Sequence, residues 1–169
     1  MSNNKVRWEQ ESPPNTLLAI DPGASFPKSK VPYAGAALFQ WGELVWGGLV
    51  KCPTTVSPFA QPNALVRKVC KAAGVARHDK AIGVSLTVLA VENPLLYKRG
   101  AARPEDIIAL KGIYGAFMGG IDAEFYAGPS PGTWKGSIDG VILNERVLKI
   151  LNGEEFDIVL MAKPMEEAI

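Results

Sequence analysis

Two carboxylates each follow a short apolar segment and each precede a proline by one or two residues. Asp21 follows the apolar run of residues 17–20, and Glu92 follows the apolar run of residues 84–91. Apolar runs of this length, bounded by turn residues, are typical of strands buried on both faces. If these strands are parallel neighbours, both carboxylates lie at one edge of the sheet, where open α/β sheets bind their ligands.

Such a pair of acids favours metal chemistry. Two carboxylates about 4 Å apart repel by roughly 4 kcal/mol at an effective dielectric of 20, so they need a shared proton or a cation between them. Mg²⁺ prefers hard oxygen ligands and keeps water molecules for chemistry. A pair of such ions activates water and stabilises the leaving oxygen in phosphodiester hydrolysis. The alternative interpretation is that each acid is only a turn residue or a helix cap.

Composition narrows the remaining chemistry. His78 is the single histidine, which argues against a histidine zinc site or a Ser-His-Asp triad. Cys52 and Cys70 have no close-spaced partner, which predicts reduced thiols in a cytoplasmic protein. The net charge is +1, so nucleic-acid binding requires basic residues gathered on one face. No apolar run reaches the roughly 18 residues of a membrane span.

The pattern of apolar residues predicts one domain over residues 15–169, after a flexible lead of residues 1–14. The predicted strands cover residues 17–20, 33–40, 44–50, 84–91 and 124–127, with a hairpin turn at residues 41–43. The predicted helices run from an N-cap at Asn63 to Gly74, and over residues 104–120, 143–151 and 155–162, with a Gly/Pro-rich loop through residues 133–136. This order predicts an α/β fold with a mixed five-stranded sheet, an antiparallel hairpin and flanking helices.

Several segments together resemble a known family. Residues 18–23 with the following hairpin, residues 88–94, the helix of residues 104–120 and the Pro-Gly-Thr-Trp-Lys-Gly loop of residues 131–136 occur in the order found in RuvC-type Holliday junction resolvases of phage and bacteria. The resemblance extends from residue 17 to residue 169. It implies an RNase H-like fold and a Mg²⁺-dependent endodeoxyribonuclease, with Mn²⁺ able to substitute, that resolves four-way DNA junctions by paired phosphodiester hydrolysis.

The same resemblance implies roles for particular residues. Asp21 and Glu92 match the first two metal ligands of the family. Its later acids follow the pattern Asp or His, two residues, then Asp-Ala-Ile or Asp-Ala-Leu. Glu167 matches the final Asp of this pattern, Pro164 stands at the earlier acid, and Glu166 is the nearest substitute. A departure at the metal site leaves open an alternative, a catalytically impaired protein of the same fold that binds branched DNA.

Two segments are candidates for DNA binding. The loop carries Trp134 and Lys135, and a Lys beside an aromatic on a Gly-rich loop suits phosphate contact. The densest basic cluster follows Glu92 and comprises Tyr97, Lys98, Arg99 and Arg103. Lys28 and Lys30 could extend this surface. The alternative interpretations are a core role for Trp134, a solvated Lys135 and a solvated basic loop.

The expected partner is a second copy of the chain. A four-way junction has approximate two-fold symmetry, and a C2 dimer places two identical sites to make matched nicks. The apolar helix of residues 107–118 either offers a dimer face or simply packs on the sheet, and Gly112 and Gly115 favour close helix approach in both cases. A rival class, the actin-like ATPases, also opens on an Asp-bearing strand, but it needs two domains and several phosphate loops.

Overall fold

The computed structural model describes residues 15–24, 30–94, 104–134, 149 and 151–161. The strands are β1 (Thr16–Gly23), β2 (Tyr33–Gln40), β3 (Glu43–Lys51), β4 (Leu86–Val91) and β5 (Ala123–Ala127). The helices are α1 (Gln61–Ala73), α2 (Pro104–Gly120), α3 (Pro131–Trp134) and α4 (Gly153–Met161). The predicted helix of residues 143–151 falls mostly outside the described residues, as does the lead of residues 1–14.

The strands form one mixed sheet in the order β3-β2-β1-β4-β5. β1 and β2 are antiparallel, as are β2 and β3, whereas β1, β4 and β5 run parallel. Parallel neighbours require crossover connections, which α1 provides before β4 and α2 provides before β5. This order and these directions are those of the RNase H-like fold, and they confirm the predicted fold class.

The parallel pairing of β1 with β4 decides the geometry of the site. Ile20 pairs with Val91, and Leu18 pairs with Leu89. Thr16 fixes this register at the start of β1, because its hydroxyl donates to the carbonyl of Ser85 at 3.0 Å and accepts from the amide of Thr87 at 2.8 Å.

One face of the sheet forms the core under α1 and α2. The buried residues of this face and of the two helices include Leu18, Ile20, Leu65, Val69, Leu89, Val91, Ile113 and Phe117. Because side chains alternate along a strand, the residues between these buried positions lie on the opposite face.

The hairpin between β2 and β3 forms as the sequence predicts. Its two turn residues, Trp41 and Gly42, have φ values of 55° and 86°. Positive φ at both central positions is the two-residue turn whose twist matches paired strands. The register shifts between Leu38 and Phe39, which leaves Val45 of β3 unpaired in a bulge.

Helix α1 begins earlier than predicted, so the expected N-cap at Asn63 is wrong. The helix starts at Gln61, its cap residue is Ala60 without a side-chain hydrogen bond, and proline occupies the first turn. A turn in which the Ser57 carbonyl accepts from the amides of Ala60 and Gln61 leads into the helix instead. Proline fits this first turn because it has no amide hydrogen to satisfy there. The predicted end of the helix at Gly74 is confirmed.

The later elements differ from prediction in smaller ways. β4 begins at Leu86, and Val84 forms only an isolated bridge with Val75. The predicted loop near residue 133 begins with the short helix α3. Helix α2 has the predicted bounds, and it buries Ile107, Ile113 and Phe117, but Ile108 is 71% exposed and does not belong to its buried stripe.

Helix α4 packs against β3 on the face of the sheet opposite to α1 and α2. A Cβ atom at Gly47 of β3 would lie 3.6 Å from Cγ2 of Ile158. Gly47 pairs with Ala37, which pairs with Ala19, and all three alternate with the buried core positions. Strand β3 is therefore packed on both faces. In the part of the chain that the structure describes, no helix has the length and apolar character of a transmembrane span.

Candidate active site

Asp21 lies where β1 separates from β4. The last ladder contact between these strands is the amide of Glu92 donating to the carbonyl of Ile20 at 2.8 Å. Beyond this point β1 remains paired only with β2, up to the pair of Gly23 with Tyr33. A proline directly after Asp21 is tolerated here because a missing amide hydrogen costs nothing where a ladder ends.

The register brings the two predicted carboxylates together. Asp21 and Glu92 directly follow the paired residues Ile20 and Val91, so they occupy adjacent positions on neighbouring parallel strands. Their Cα atoms are therefore separated by about one strand spacing, roughly 5 Å. Ile20 and Val91 are buried under the helices, so alternation places both acids on the opposite face. This juxtaposition is the one the sequence predicted, and Asp21 is the more exposed of the two.

The positions beside Asp21 leave space over the sheet. Its partner on β2 is Gly35, which has no side chain. The ring of Tyr33 lies directly over Gly23, where a Cβ atom would collide with it. The glycine of the Asp-Pro-Gly sequence is therefore required by a contact with the neighbouring strand, and Tyr33 forms an aromatic rim two residues from Asp21.

A cation not predicted from the sequence contacts Asn93, the residue after Glu92. The ammonium of Lys111 on α2 donates a hydrogen bond to Oδ1 of Asn93, and it lies 5.7 Å from the ring centroid of Tyr114. The amide of Asn93 in turn donates to the carbonyl of Pro129 at 2.9 Å, which joins the ends of β4 and β5. Lys111 is the single Lys or Arg in α2, and that isolation in an apolar helix was the available signal.

Helix α3 begins at this same edge of the sheet, because it follows β5, which runs parallel to β4. Trp134 is the last residue of this helix. The other predicted DNA-binding residues lie outside the described residues, and these are Lys135, Tyr97, Lys98, Arg99 and Arg103.

The predicted third ligands, Glu166 and Glu167, also lie outside the described residues. Within the described part of the chain, no three His, Cys, Asp or Glu side chains are grouped so that they could hold a metal. The spacing of an acid, two residues and an Asp also occurs at Glu154 and Asp157 on α4, although Ile158 stands where the family pattern has Ala.

The hydrogen bonds of α4 place its first turn away from Asp21. Oε1 of Glu155 accepts from the amide of Leu44 at 3.0 Å. Leu44 pairs with Phe39, which pairs with Leu17, so it lies four residues before the row of Asp21. That offset is about 13 Å along the strands, and β3 is also two strands away from β1.

Glu155 also caps its own helix. Its Oε2 accepts from the amide of Asn152 at 3.0 Å, and its amide donates to Oδ1 of Asn152 at 2.9 Å. The amides of Leu44 and Asn152 lower the pKa of the Glu155 carboxyl, because they stabilise its charged form. Glu155 is therefore a structural residue that fixes the start of α4 on β3.

Two of the solved structures that the chain resembles are RuvC structures, the family expected from the sequence. One is Thermus thermophilus RuvC in complex with Holliday junction substrate, at 17% identity over 87% of this chain and 89% of that chain, with a TM-score of 0.47. The other is a Thermus thermophilus RuvC structure, at 17% identity over 87% of this chain and 90% of that chain, with a TM-score of 0.45. No protein-family model matches the sequence, and the search of curated proteins finds no relative.

Proposed function

We propose that this chain is a divalent-metal-dependent endodeoxyribonuclease that acts on branched DNA, with the four-way junction as its substrate. The observation that carries the proposal is the adjacent placement of Asp21 and Glu92 at the end of the parallel strands. Two carboxylates so close favour a cation between them. The RNase H-like topology and the ordered RuvC-like motifs support phosphodiester hydrolysis over other metal chemistry.

Mg²⁺ suits the donor set, and Mn²⁺ can replace it. Carboxylate oxygens from Asp21 and Glu92 are hard ligands, and the glycine at position 35 leaves room beside them. When bound, the ion supplies an activated water and charge stabilisation for the leaving oxygen. The side chain of Lys111, held by Asn93 at the end of β4, adds a positive charge at the edge of the sheet where a phosphate would enter.

The third ligand in this proposal is Glu167, with Glu166 as the alternative from the same segment. Both belong to the segment after α4, a helix that packs on the face that carries Asp21. Asp157 is a competing candidate because it follows Glu154 at the same spacing of two acids. The hydrogen bond from the amide of Leu44 to Glu155 argues against Asp157, since it holds the start of α4 far from Asp21.

DNA binding in this proposal involves the segments that flank the candidate metal site. Trp134 ends α3, which begins at the same edge of the sheet as Glu92, and Lys135 is the next residue in the chain. The basic segment with Tyr97, Lys98, Arg99 and Arg103 follows Glu92 in the chain. Contacts of these cations with phosphates would make binding strongly dependent on salt.

A homodimer would use the exposed face of α2. Ile108 is 71% exposed, and a Cβ atom at Gly112, Gly115 or Gly119 would meet no atom within 4 Å. These four positions recur at helical spacing, so they lie along one side of the helix. A second copy packed on this side would give two active sites for the two strands of a junction.

The alternative function is a branched-DNA-binding protein with impaired catalysis. The observation in its favour is that the described residues bring together two acids rather than three or more. Binding without cleavage in both Mg²⁺ and Mn²⁺ would select this alternative.

The decisive experiment compares cleavage of labelled four-way junctions by the wild-type chain and by the Asp21→Asn and Glu92→Gln variants. We expect symmetric nicks from the wild type and a loss of about a hundredfold or more in each variant, because each removes a ligand of the charge-stabilising ion. Glu43→Gln, which changes an exposed acid at the hairpin turn, is the matched control and should retain activity. Titration of Mn²⁺ by calorimetry gives a second measurement, and the two site variants should bind it more weakly than the control.

The third ligand is tested in the same assay with Glu167→Gln, Glu166→Gln and Asp157→Asn. Loss of Mn²⁺ affinity and cleavage in Glu167→Gln, with Asp157→Asn unchanged, would support the proposed assignment. The reverse result would assign the role to α4 and require that its first turn leave Leu44. Intact junction binding with no cleavage by the wild type in either metal would refute the enzyme proposal.

A further inference from the structure

A basic groove lies at the end of the sheet opposite to the candidate metal site. Two adjoining cavities of about 440 Å³ and 300 Å³ separate the second half of α1 from the turn that precedes β4. Arg67 and Arg77 line both cavities, and Lys71 and Lys80 line the larger one. These four residues define the groove. It adjoins the start of β4, whereas Glu92 follows the end of that strand, so the two sites are about 20 Å apart along the strands.

Backbone hydrogen bonds hold the far side of the groove in place. Arg77 and Lys80 exchange amide-to-carbonyl bonds of 3.2 Å and 3.0 Å across their turn. The amide of Val84 donates to the carbonyl of Gly74 at 2.8 Å, which ties the turn to the end of α1. Gly83 has a φ of 133°, and a Cβ atom there would lie within 2.8 Å of the backbone of residues 74–76. The turn is therefore packed tightly against α1, and its cations are pre-positioned.

The charges of the groove are poorly compensated within the described chain. Arg67 and Lys71 are four residues apart on α1, a spacing at which like charges repel. Asp79 is the single acid that lines the cavities in the described residues, and it is already paired with Arg77 at 2.7 Å. Another nearby acid, Asp122, lies 3.5 Å from His78. Four cations therefore line a groove with one carboxylate, and this excess of positive charge favours an anionic ligand.

The end of α1 accounts for only part of this arrangement. A helix C-terminus favours a cation in its last turn, which explains Lys71. Arg77 and Lys80 lie on a separate turn, and the side chain of Arg77 is only 17% exposed. Asp79 contacts one terminal nitrogen of this guanidinium, and the planar fork of an arginine has further donors that suit phosphate oxygens.

We propose that the basic groove binds backbone phosphates of DNA. The inference rests on the proposed function in so far as DNA is the proposed substrate, and it adds a second contact region remote from the cut. A separation of about 20 Å corresponds to roughly six base pairs of duplex, since each strand carries one phosphate per 3.4 Å. The groove therefore contacts a junction arm away from the branch point.

The test measures DNA binding by the full chain in EDTA, so that no cleavage occurs. Fluorescence anisotropy with a labelled four-way junction is recorded over a range of salt concentrations for the wild type and for Arg67→Gln/Lys71→Gln. We expect Kd to rise on the order of tenfold at 100 mM salt and the slope of log Kd against log salt to fall by about 2, because two phosphate contacts are lost. Lys80→Gln provides a second variant from the other side of the groove, with a smaller loss in the same direction.

The matched control is Lys68→Gln/Lys149→Gln. It removes two exposed positive charges outside the groove, one of them on the same helix. Equal losses in control and groove variants, or unchanged affinity in the groove variants, would overturn the proposal. Calorimetric titration with sodium phosphate separates the sources of the anion. If the groove variants lose phosphate binding but keep junction affinity, the groove binds a free anion and the DNA assignment fails.

These outcomes are independent of the nuclease proposal. A weakened groove variant supports the groove even if the wild type cleaves no junction. Conversely, symmetric cleavage by a groove variant with unchanged DNA affinity would support the nuclease proposal and refute the groove proposal.

Discussion

Around Asp21, single side chains set how much room a ligand has. Gly35 faces Asp21 from β2 without a side chain, and Gly23 accommodates the ring of Tyr33. On the other side, Lys111 is held against Asn93, one residue from Glu92. The neighbours of the two carboxylates therefore set the space and the charge that a ligand would meet there.

Gly23→Ala should destabilise the protein. The new Cβ atom would collide with the ring of Tyr33, and overpacking of this kind costs about 1–3 kcal/mol. Urea unfolding of the single variant and of Gly23→Ala/Tyr33→Ala measures the effect, since removal of the ring should restore part of the loss. Gly112→Ala is the control, because it has free space and gains helix propensity. An unchanged urea midpoint for Gly23→Ala would contradict the contact.

The two thiols should react slowly in the native protein. Burial raises the pKa of Cys70 to about 11 and also raises the pKa of Cys52. At pH 8 a thiol with that pKa is thiolate in only about one molecule in a thousand, and only the thiolate reacts. Labelling with a chromogenic disulfide should be slow in native buffer and fast in guanidinium. Rapid native labelling of Cys70 would show that the buried face of α1 is not packed against the core.

At the scale of elements, the position of α4 depends on a few hydrogen bonds of its first turn. Glu155 joins the amides of Asn152 and Leu44, and Ile158 packs over Gly47. α4 leads into the segment with the proposed third ligand. The position of the proposed third ligand therefore depends on how this helix packs against β3.

Glu155→Gln should lower the urea midpoint at pH 7 but have little effect at low pH. Because the folded-state pKa of Glu155 is lowered from 4.5, its contribution to stability is complete above the unfolded value of about 4.5. That contribution is lost as the pH falls through the lower folded-state pKa. Unfolding curves of wild type and variant at pH 7 and below pH 4 test this, with Glu154→Gln as the neighbouring control. A difference that persists at low pH would exclude the charged carboxylate as its source.

At the scale of the whole molecule, the two ends of the parallel strands carry opposite charge. One edge carries Asp21 and Glu92, and the opposite edge carries the basic groove. The helices α1 and α2 cover one face, and the outer side of α2 exposes Ile108 beside small residues. A dimer through α2 would border the smaller cavity of the basic groove, because Gly119 lines that cavity.

Gly112→Leu should weaken a dimer while stabilising the monomer. No atom lies within 4 Å of the added Cβ in the single chain, and a mid-helix glycine replaced by leucine gains up to about 1 kcal/mol of helix propensity. A large side chain would block close approach of a second helix. Sedimentation equilibrium and urea unfolding, read together, should show a higher dimer dissociation constant and a higher midpoint. An unchanged association constant would place any dimer interface elsewhere.

The sequence by itself determined the elements and the two acids. Apolar runs ending in Asp21 and Glu92 predicted two buried strands, and the turn at Trp41 and Gly42 predicted the hairpin, because burial and turn geometry act over a few residues. The family resemblance added the fold, which the strand order bears out.

Tertiary structure alone decided which residues become neighbours. The pairing of Ile20 with Val91 makes Asp21 and Glu92 adjacent. The ring of Tyr33 occupies the space that a side chain at position 23 would need. The side chain of Asn93 accepts a hydrogen bond from Lys111. The basic groove likewise joins α1 to a turn that follows it in the chain. These contacts connect residues far apart in the sequence, and register and packing, which no local pattern encodes, bring them together.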